Sequence, residues 1–179
     1  MRKALLLSAV LLLSTAALAD DRGTTRLSVM ATDISYSWSE NTGSRADAGA
    51  VVALSHRFGE KWGLEASYGF ERGYDVSRFD FERVAFNVHP LDVVGQFFIP
   101  TGESRWKPYV GAGARYTATP EQSLKSHAYS ETNAQINAGS ILNLTPRVGI
   151  RFDGKFLVGG NNARWDEPLK FAVGLSFRF

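Results

Sequence analysis

Residues 170–179 read KFAVGLSFRF, and their alternation decides the fold. Phe171, Val173, Leu175, Phe177 and Phe179 are bulky and apolar, while Lys170, Ala172, Gly174, Ser176 and Arg178 between them are small or polar. Side chains of a strand point alternately to opposite faces, so this period of two describes a ribbon with one oily face and one polar face. Such a ribbon cannot stand alone, and the rest of the chain must supply its neighbours.

Seven further stretches carry the same period. In residues 26–39, Met30, Ile34, Tyr36 and Trp38 share one face and Asp33, Ser35 and Ser37 the other. Residues 47–58 set Ala48, Ala50, Val52, Leu54 and Phe58 against Asp47, Gly49, Ser55 and Arg57. Residues 62–74 oppose Trp62, Leu64, Ala66, Tyr68 and Phe70 to Gly63, Glu65, Ser67, Gly69 and Glu71. In residues 84–99 the pattern runs in two halves out of phase, Phe86 and Val88 before His89-Pro90 and Leu91, Val93, Phe97 and Ile99 after it. A bulge at Pro90 would restore the phase, since proline is otherwise hard to place in a sheet. Residues 108–118 oppose Val110, Ala112, Ala114 and Tyr116 to Tyr109, Gly111, Gly113 and Arg115. Residues 132–144 oppose Ala134, Ile136, Ala138, Leu142 and Leu144 to Asn133, Gln135, Asn137, Gly139 and Asn143. Residues 147–158 oppose Val148, Ile150, Phe152, Phe156 and Val158 to Arg147, Arg151, Asp153 and Lys155.

The connectors alternate as well. Those after the second, fourth and sixth segments are compact, and those after the first, third, fifth and seventh are mostly longer and polar. Eight strands with short turns at one end and long loops at the other predict an all-β, eight-stranded antiparallel up-and-down transmembrane β-barrel. Three features set it apart from a soluble barrel, in which the oily face would lie inside. The polar faces are rich in Gly, Ser and Asn, and their charges come in both signs. Aromatics gather at both segment ends: Phe58, Trp62, Trp106, Phe177 and Phe179 at the short-turn end, Tyr36, Trp38, Phe70, Tyr116 and Phe156 toward the other. Two aromatic girdles are what two lipid–water interfaces select.

The N-terminus agrees with export. Arg2 and Lys3 precede an apolar run over residues 4–13, and Ala17-Leu18-Ala19 places small residues two apart before Asp20. This is the layout of a secretory signal peptide over residues 1–19 cleaved after Ala19, which leaves 20–179 as the barrel domain. The run is too short to serve as a comfortable membrane helix. The chain of 179 residues has no Cys and a net charge of +2, so thiol chemistry is excluded and nothing points to nucleic acid. Loss of Arg2 and Lys3 would leave equal numbers of acidic and basic residues.

An eight-stranded barrel has an interior just wide enough for its side chains. Glu65, Glu71, Arg115, Arg151, Asp153 and Lys155 all fall on the polar face, and they are expected to interlock as a polar plug. The competing reading is a proton or solute path. Phe171, Val173, Leu175 and Phe177 are expected to face lipid, Lys170, Gly174, Ser176 and Arg178 the lumen, with Phe179 at the periplasmic interface.

The residues also resemble a family. RWKPYVGAGARYT, residues 105–117, resembles the fifth-strand signature "PYVGAGxxY" of the OmpW-like and OmpX/OmpA-like barrels, which share an outer-membrane β-barrel domain. HRFGEKWGLEASYGFE, residues 56–71, is similar to their second hairpin, and His89-Pro90-Leu91 falls where the OmpW-like branch carries a proline in its fourth strand. The resemblance implies a protein of the cell outer membrane, in contact with its lipid and lipopolysaccharide. It also implies that Phe171, Val173, Leu175, Phe177 and Phe179 form the C-terminal signal read by the outer-membrane assembly machinery. The OmpW-like branch is associated with passage of small hydrophobic molecules through an apolar-gated lumen. Here the lumen face is polar and offers few large apolar gate residues, so a plugged barrel with structural or interaction roles for its loops is the first expectation. A narrow conduit is the alternative.

Enzymatic and cofactor chemistry find little footing. Gly111-Ala112-Gly113 lies within a strand, whereas a phosphate-binding glycine loop opens onto a helix N-terminus. Barrels that modify lipid A would need a His beside a nucleophilic Ser and an orienting acid. Ser55 and His56 are successive strand residues on opposite faces, His89 has no Ser nearby in sequence, and His127 sits with Ser126 and Ser130 in a polar loop. No catalytic, cofactor-binding or metal residues are assigned, no extracellular ligand is named, and the loop 118–131 is the candidate for outside contacts.

Overall fold

A computed structural model describes residues 23–36, 45–76, 83–119, 129–158 and 169–179. They form eight strands: β1 (Thr24–Tyr36), β2 (Arg45–Phe58), β3 (Trp62–Val76), β4 (Arg83–Phe98), β5 (Trp106–Thr119), β6 (Tyr129–Asn143), β7 (Val148–Val158) and β8 (Leu169–Arg178). Each pairs antiparallel with the next, and β1 pairs with β8, so the sheet closes into a barrel in chain order. Closure leaves no edge with unpaired backbone groups, the condition for crossing hydrocarbon with strands. The signal segment, Trp38, His127 and the four long loops lie outside the described residues.

Compact connections join β2 to β3, β4 to β5 and β6 to β7 at one rim. Two of them turn on glycines at positive φ, Gly59 and Gly102, both at 59°. Left-handed backbone of this kind costs glycine nothing and other residues a steric clash. Across the wall, the alternation read from the sequence becomes inside and outside. Val52, Leu64, Tyr68, Phe70, Val93, Val110, Ile136, Phe152, Phe156, Phe171, Val173 and Leu175 are exposed around the outer surface. Phe58, Trp62, Trp106, Phe177 and Phe179 are exposed at the short-turn rim, with Trp62 edge-on to Phe97 at a centroid distance of 5.0 Å. An apolar belt this extensive is a hydrocarbon-facing surface, since water-soluble monomers expose only small patches.

The structure corrects the sequence reading at three places. No bulge occurs at Pro90. The β3–β4 register is the same on both sides of it, Tyr68 opposite Leu91 and Glu71 opposite Val88. Bridging lapses only at the intervening residues, where proline has no N–H to give. Pro90 itself is buried inside, so close to Gly69 that a Cβ there would lie 2.7 Å from Pro90 Cγ. Val88 therefore stays on the inward phase of β4 instead of returning to the outer one.

Met30 is the second correction: it points inward at 1% exposure, packed with Val51 and Ala53, while Val29 faces out. The grouping of Met30 with Ile34 and Tyr36 assumed an unbroken strand. A register shift between Thr32 and Ser35 in the β1–β8 pairing changes the phase. Third, the interior is less uniformly polar than expected. Phe98, Tyr109 and Ile141 form a buried apolar cluster inside the short-turn end, and Val94 is buried in the wall's inner face.

Candidate functional site

The lumen holds the charged side chains. Glycine makes the space: a Cβ on Gly111 would lie 2.2 Å from Asn137 Oδ1, and one on Gly113 only 2.0 Å from the Val93 carbonyl oxygen. These glycines serve close packing within a strand. Into the volume that the small residues leave project Glu65, Ser67 and Glu71 from β3, Asp92 and Gln96 from β4, Arg115 from β5, and Arg151, Asp153 and Lys155 from β7, all buried.

They sort into two clusters. In the first, Arg151 reaches across the barrel to Glu65: Nη1 donates to Oε2 at 2.6 Å and Nη2 to Oε1 at 3.0 Å. Arg151 Nη2 also donates to Asp153 Oδ2 at 2.7 Å, and Nε to the Tyr109 hydroxyl at 2.9 Å. Gln96 Nε2 adds a bond to Glu65 Oε2 at 2.9 Å. The arginine fork and the carboxylate pair face-on, the geometry in which a guanidinium is strongest.

The second cluster centres on Asp92. Arg115 Nε donates to Asp92 Oδ1 at 2.8 Å, and Lys155 Nζ to Oδ2 at 2.6 Å. Ser67 Oγ donates to the same Oδ2 at 3.2 Å. Arg115 Nη1 lies 3.7 Å from Glu71 Oε1, and Lys170 binds Glu71 Oε2 from β8. The four cations Arg115, Arg151, Lys155 and Lys170 meet the four carboxylates Glu65, Glu71, Asp92 and Asp153. Formal charge within the network cancels. An isolated ion would not stay in such an interior, because its lost hydration costs several kcal/mol.

All six residues assigned from sequence to the lumen network thus lie in these clusters. Asp92, Lys170, Tyr109, Gln96 and Ser67 complete them. Asp92 carried a readable signal, its charge on the polar face of residues 84–99, and the β4–β5 pairing sets it opposite Arg115. Gln135 and Asn137 are buried beside the network, and their side-chain amides make no hydrogen bond to a described residue.

The C-terminal residues lie elsewhere. Phe171, Val173, Leu175 and Phe177 are on the outer face of β8, and Phe179 is 78% exposed at the short-turn rim. Its N–H donates to the Thr25 carbonyl at 3.0 Å. His56 Nδ1 is 2.9 Å from Thr25 Oγ1, and His89 Nδ1 is 2.8 Å from the Tyr68 hydroxyl, with Phe70 edge-on to the His89 ring. Neither imidazole is bonded to a serine or to a carboxylate among the described residues.

Comparisons with known proteins agree with this architecture. The family described as outer membrane protein beta-barrel domain matches residues 5–179. Among solved structures, the outer membrane protein OprG from Pseudomonas aeruginosa superposes with a TM-score of 0.62 at 14% identity, covering 88% of this chain and 95% of that one. The N-terminal β-barrel domain of Pseudomonas aeruginosa OprF gives 0.56 at 16% identity, with 88% and 98% covered. Ail of Yersinia pestis in phospholipid bilayer nanodiscs gives 0.56 at 17% identity, with 88% and 99% covered. A search of curated proteins finds no match. At such identities the superpositions speak for the fold, and the family match speaks for the lineage. With a closed eight-stranded wall, an apolar belt outside and balanced charges inside, the chain belongs to the outer membrane protein beta-barrel domain family and is an integral protein of the cell outer membrane.

Proposed function

We propose that this barrel is closed to solutes and serves as a stable membrane wall that carries loops for structural or interaction roles outside the cell. The observation that supports it is the span of ion pairs across the lumen, Glu65 of β3 to Arg151 of β7 and Asp92 of β4 to Lys155 of β7. Opposite walls are tied together where a conduit would need open water. Moving a solute past these pairs would separate buried charges at a cost of several kcal/mol each. Planar bilayer recordings of the purified protein should show no stable single-channel steps. Steps of constant size would overturn the closed reading in favour of a narrow conduit.

The role is read as non-catalytic, on the surroundings of His56 and His89. Lipid A from cells with and without the protein should therefore have the same acyl chains by mass spectrometry. Export is read as running through the signal segment over residues 1–19, with cleavage after Ala19. The assembly machinery would then recognise the β8 face of Phe171, Val173, Leu175, Phe177 and Phe179. The 78% exposure of the Phe179 ring at the rim supports this, because a ring so placed is open to recognition. Deleting Phe179 should lower the amount of heat-modifiable protein in the outer membrane several-fold. Normal levels would count against the assembly signal while leaving the barrel intact.

A further inference from the structure

We propose that the short-turn mouth of the barrel is a binding site for a small phosphate-bearing anion. A cavity of about 130 Å³ opens there, lined by Arg26, Arg57, Lys107 and Arg178 together with Ser55 and Asn143. All four cations occupy the inward phase of their strands, in step with buried Ser28, Ser55, Tyr109 and Ser176. Phe98 and Ile141 lie at its inner side, toward the ion network.

The electrostatics of the two regions differ in kind. Deeper in the lumen Arg115, Arg151, Lys155 and Lys170 each have a carboxylate. At the mouth, none of the four cations is in an ion pair among the described residues, and the hydrogen-bond partners of Arg26, Arg57 and Lys107 are neutral. Arg26 Nη2 donates to Asn143 Oδ1 at 2.8 Å, Lys107 Nζ to the Gly102 carbonyl at 2.7 Å, and Arg57 to the Glu60 carbonyl. The Arg57 guanidinium stacks over Phe98 at 4.9 Å from the ring centroid. Arg26 Nη1 and Arg57 Nε are buried yet donate to no described acceptor.

Like charges gathered around one concavity repel, so the arrangement is relieved by an oxyanion that accepts from several donors at once. Guanidinium forks with free N–H groups match phosphate oxygens bidentately. The cavity has room for a small oxyanion of one or two phosphate groups.

The test is calorimetric titration of inorganic pyrophosphate into the folded full chain in phosphatidylcholine nanodiscs. Saturable one-site binding that weakens with added salt is expected. Arg57→Gln and Arg178→Gln should each lower the affinity about tenfold or more, the worth of a charge-assisted hydrogen bond. Lys61→Gln, which removes an exposed cation of the neighbouring turn, should leave affinity unchanged. Should either arginine variant fail to show heat-modifiable mobility, Lys107→Gln substitutes for it, since Lys107 holds only a turn carbonyl. No saturable heat, or equal affinity in all variants, overturns the site. So does binding that appears only in the Asp20→Asn/Asp21→Asn double variant, because the sequence's own acidic pair would then be the occupant. A second titration in phosphatidylglycerol nanodiscs distinguishes the source of the phosphate. Competition there assigns a lipid headgroup, and unchanged affinity assigns a soluble ligand.

Discussion

Arg151→Ala is expected to destabilise the folded barrel by roughly 3–5 kcal/mol, the cost of breaking a buried ion pair from one side. Arg151 is 1% exposed and serves Glu65, Asp153 and Tyr109 together. Its loss leaves Glu65, which is fully buried, with only the Gln96 amide. The same loss leaves two carboxylates in one desolvated volume without their shared cation. The readout is the temperature at which the compact form gives way to the slow-migrating unfolded form on a gel. A second variant separates charge from packing: Arg151→Met with Glu65→Gln removes both charges of the pair and should recover part of the loss. Equal melting of wild type and Arg151→Ala would refute a structural role for the network. Normal melting with new conductance would instead favour a path through the lumen.

Val173→Arg should be the second large effect, about 2–4 kcal/mol, because a cation at the bilayer midplane of a barrel's outer face pays that much. Val173 lies midway along β8 and is 47% exposed, opposite Phe152 of β7 and Ala31 of β1. A position this exposed in water would tolerate arginine within about 0.5 kcal/mol. Trp62→Arg at the short-turn rim is the internal comparison, with a cost of about 0–1 kcal/mol from charge at the interface. Denaturant titration of the barrel in lipid bilayers measures both. If Val173→Arg and Trp62→Arg shift the midpoint alike, the assignment of the β8 face to hydrocarbon fails.

Most of the wall was legible in the residues themselves. Strand period is a local property of the backbone, so Trp62, Leu64, Ala66, Tyr68 and Phe70 declared their common face without any knowledge of neighbours. The local rule failed where a second strand intervenes. Met30 was misplaced because the phase changes at a shift between Thr32 and Ser35 that shows itself in the β1–β8 pairing, which joins the first strand to the last. Pro90 was read as a bulge because the apolar pattern slips phase at His89-Pro90, yet the constant β3–β4 register shows the ladder resuming past the proline. The neighbouring rungs hold both strands in place, and Gly69 yields the room for the ring.

Which charged side chains enter the lumen was likewise determined by the sequence alone, through face and charge, whereas inward Met30, Phe98 and Ile141 were not readable there. Nor was partnership. Arg151 meets Glu65 across 86 residues and Lys155 meets Asp92 across 63, distances that only barrel closure removes. The same closure sets Arg26, Arg57, Lys107 and Arg178 around one cavity, though each reads in its own strand as an ordinary charge near a rim. Periodicity is fixed by the pleat of a single strand, whereas the match of charges across a lumen depends on the stagger of all eight. That stagger belongs to the tertiary structure.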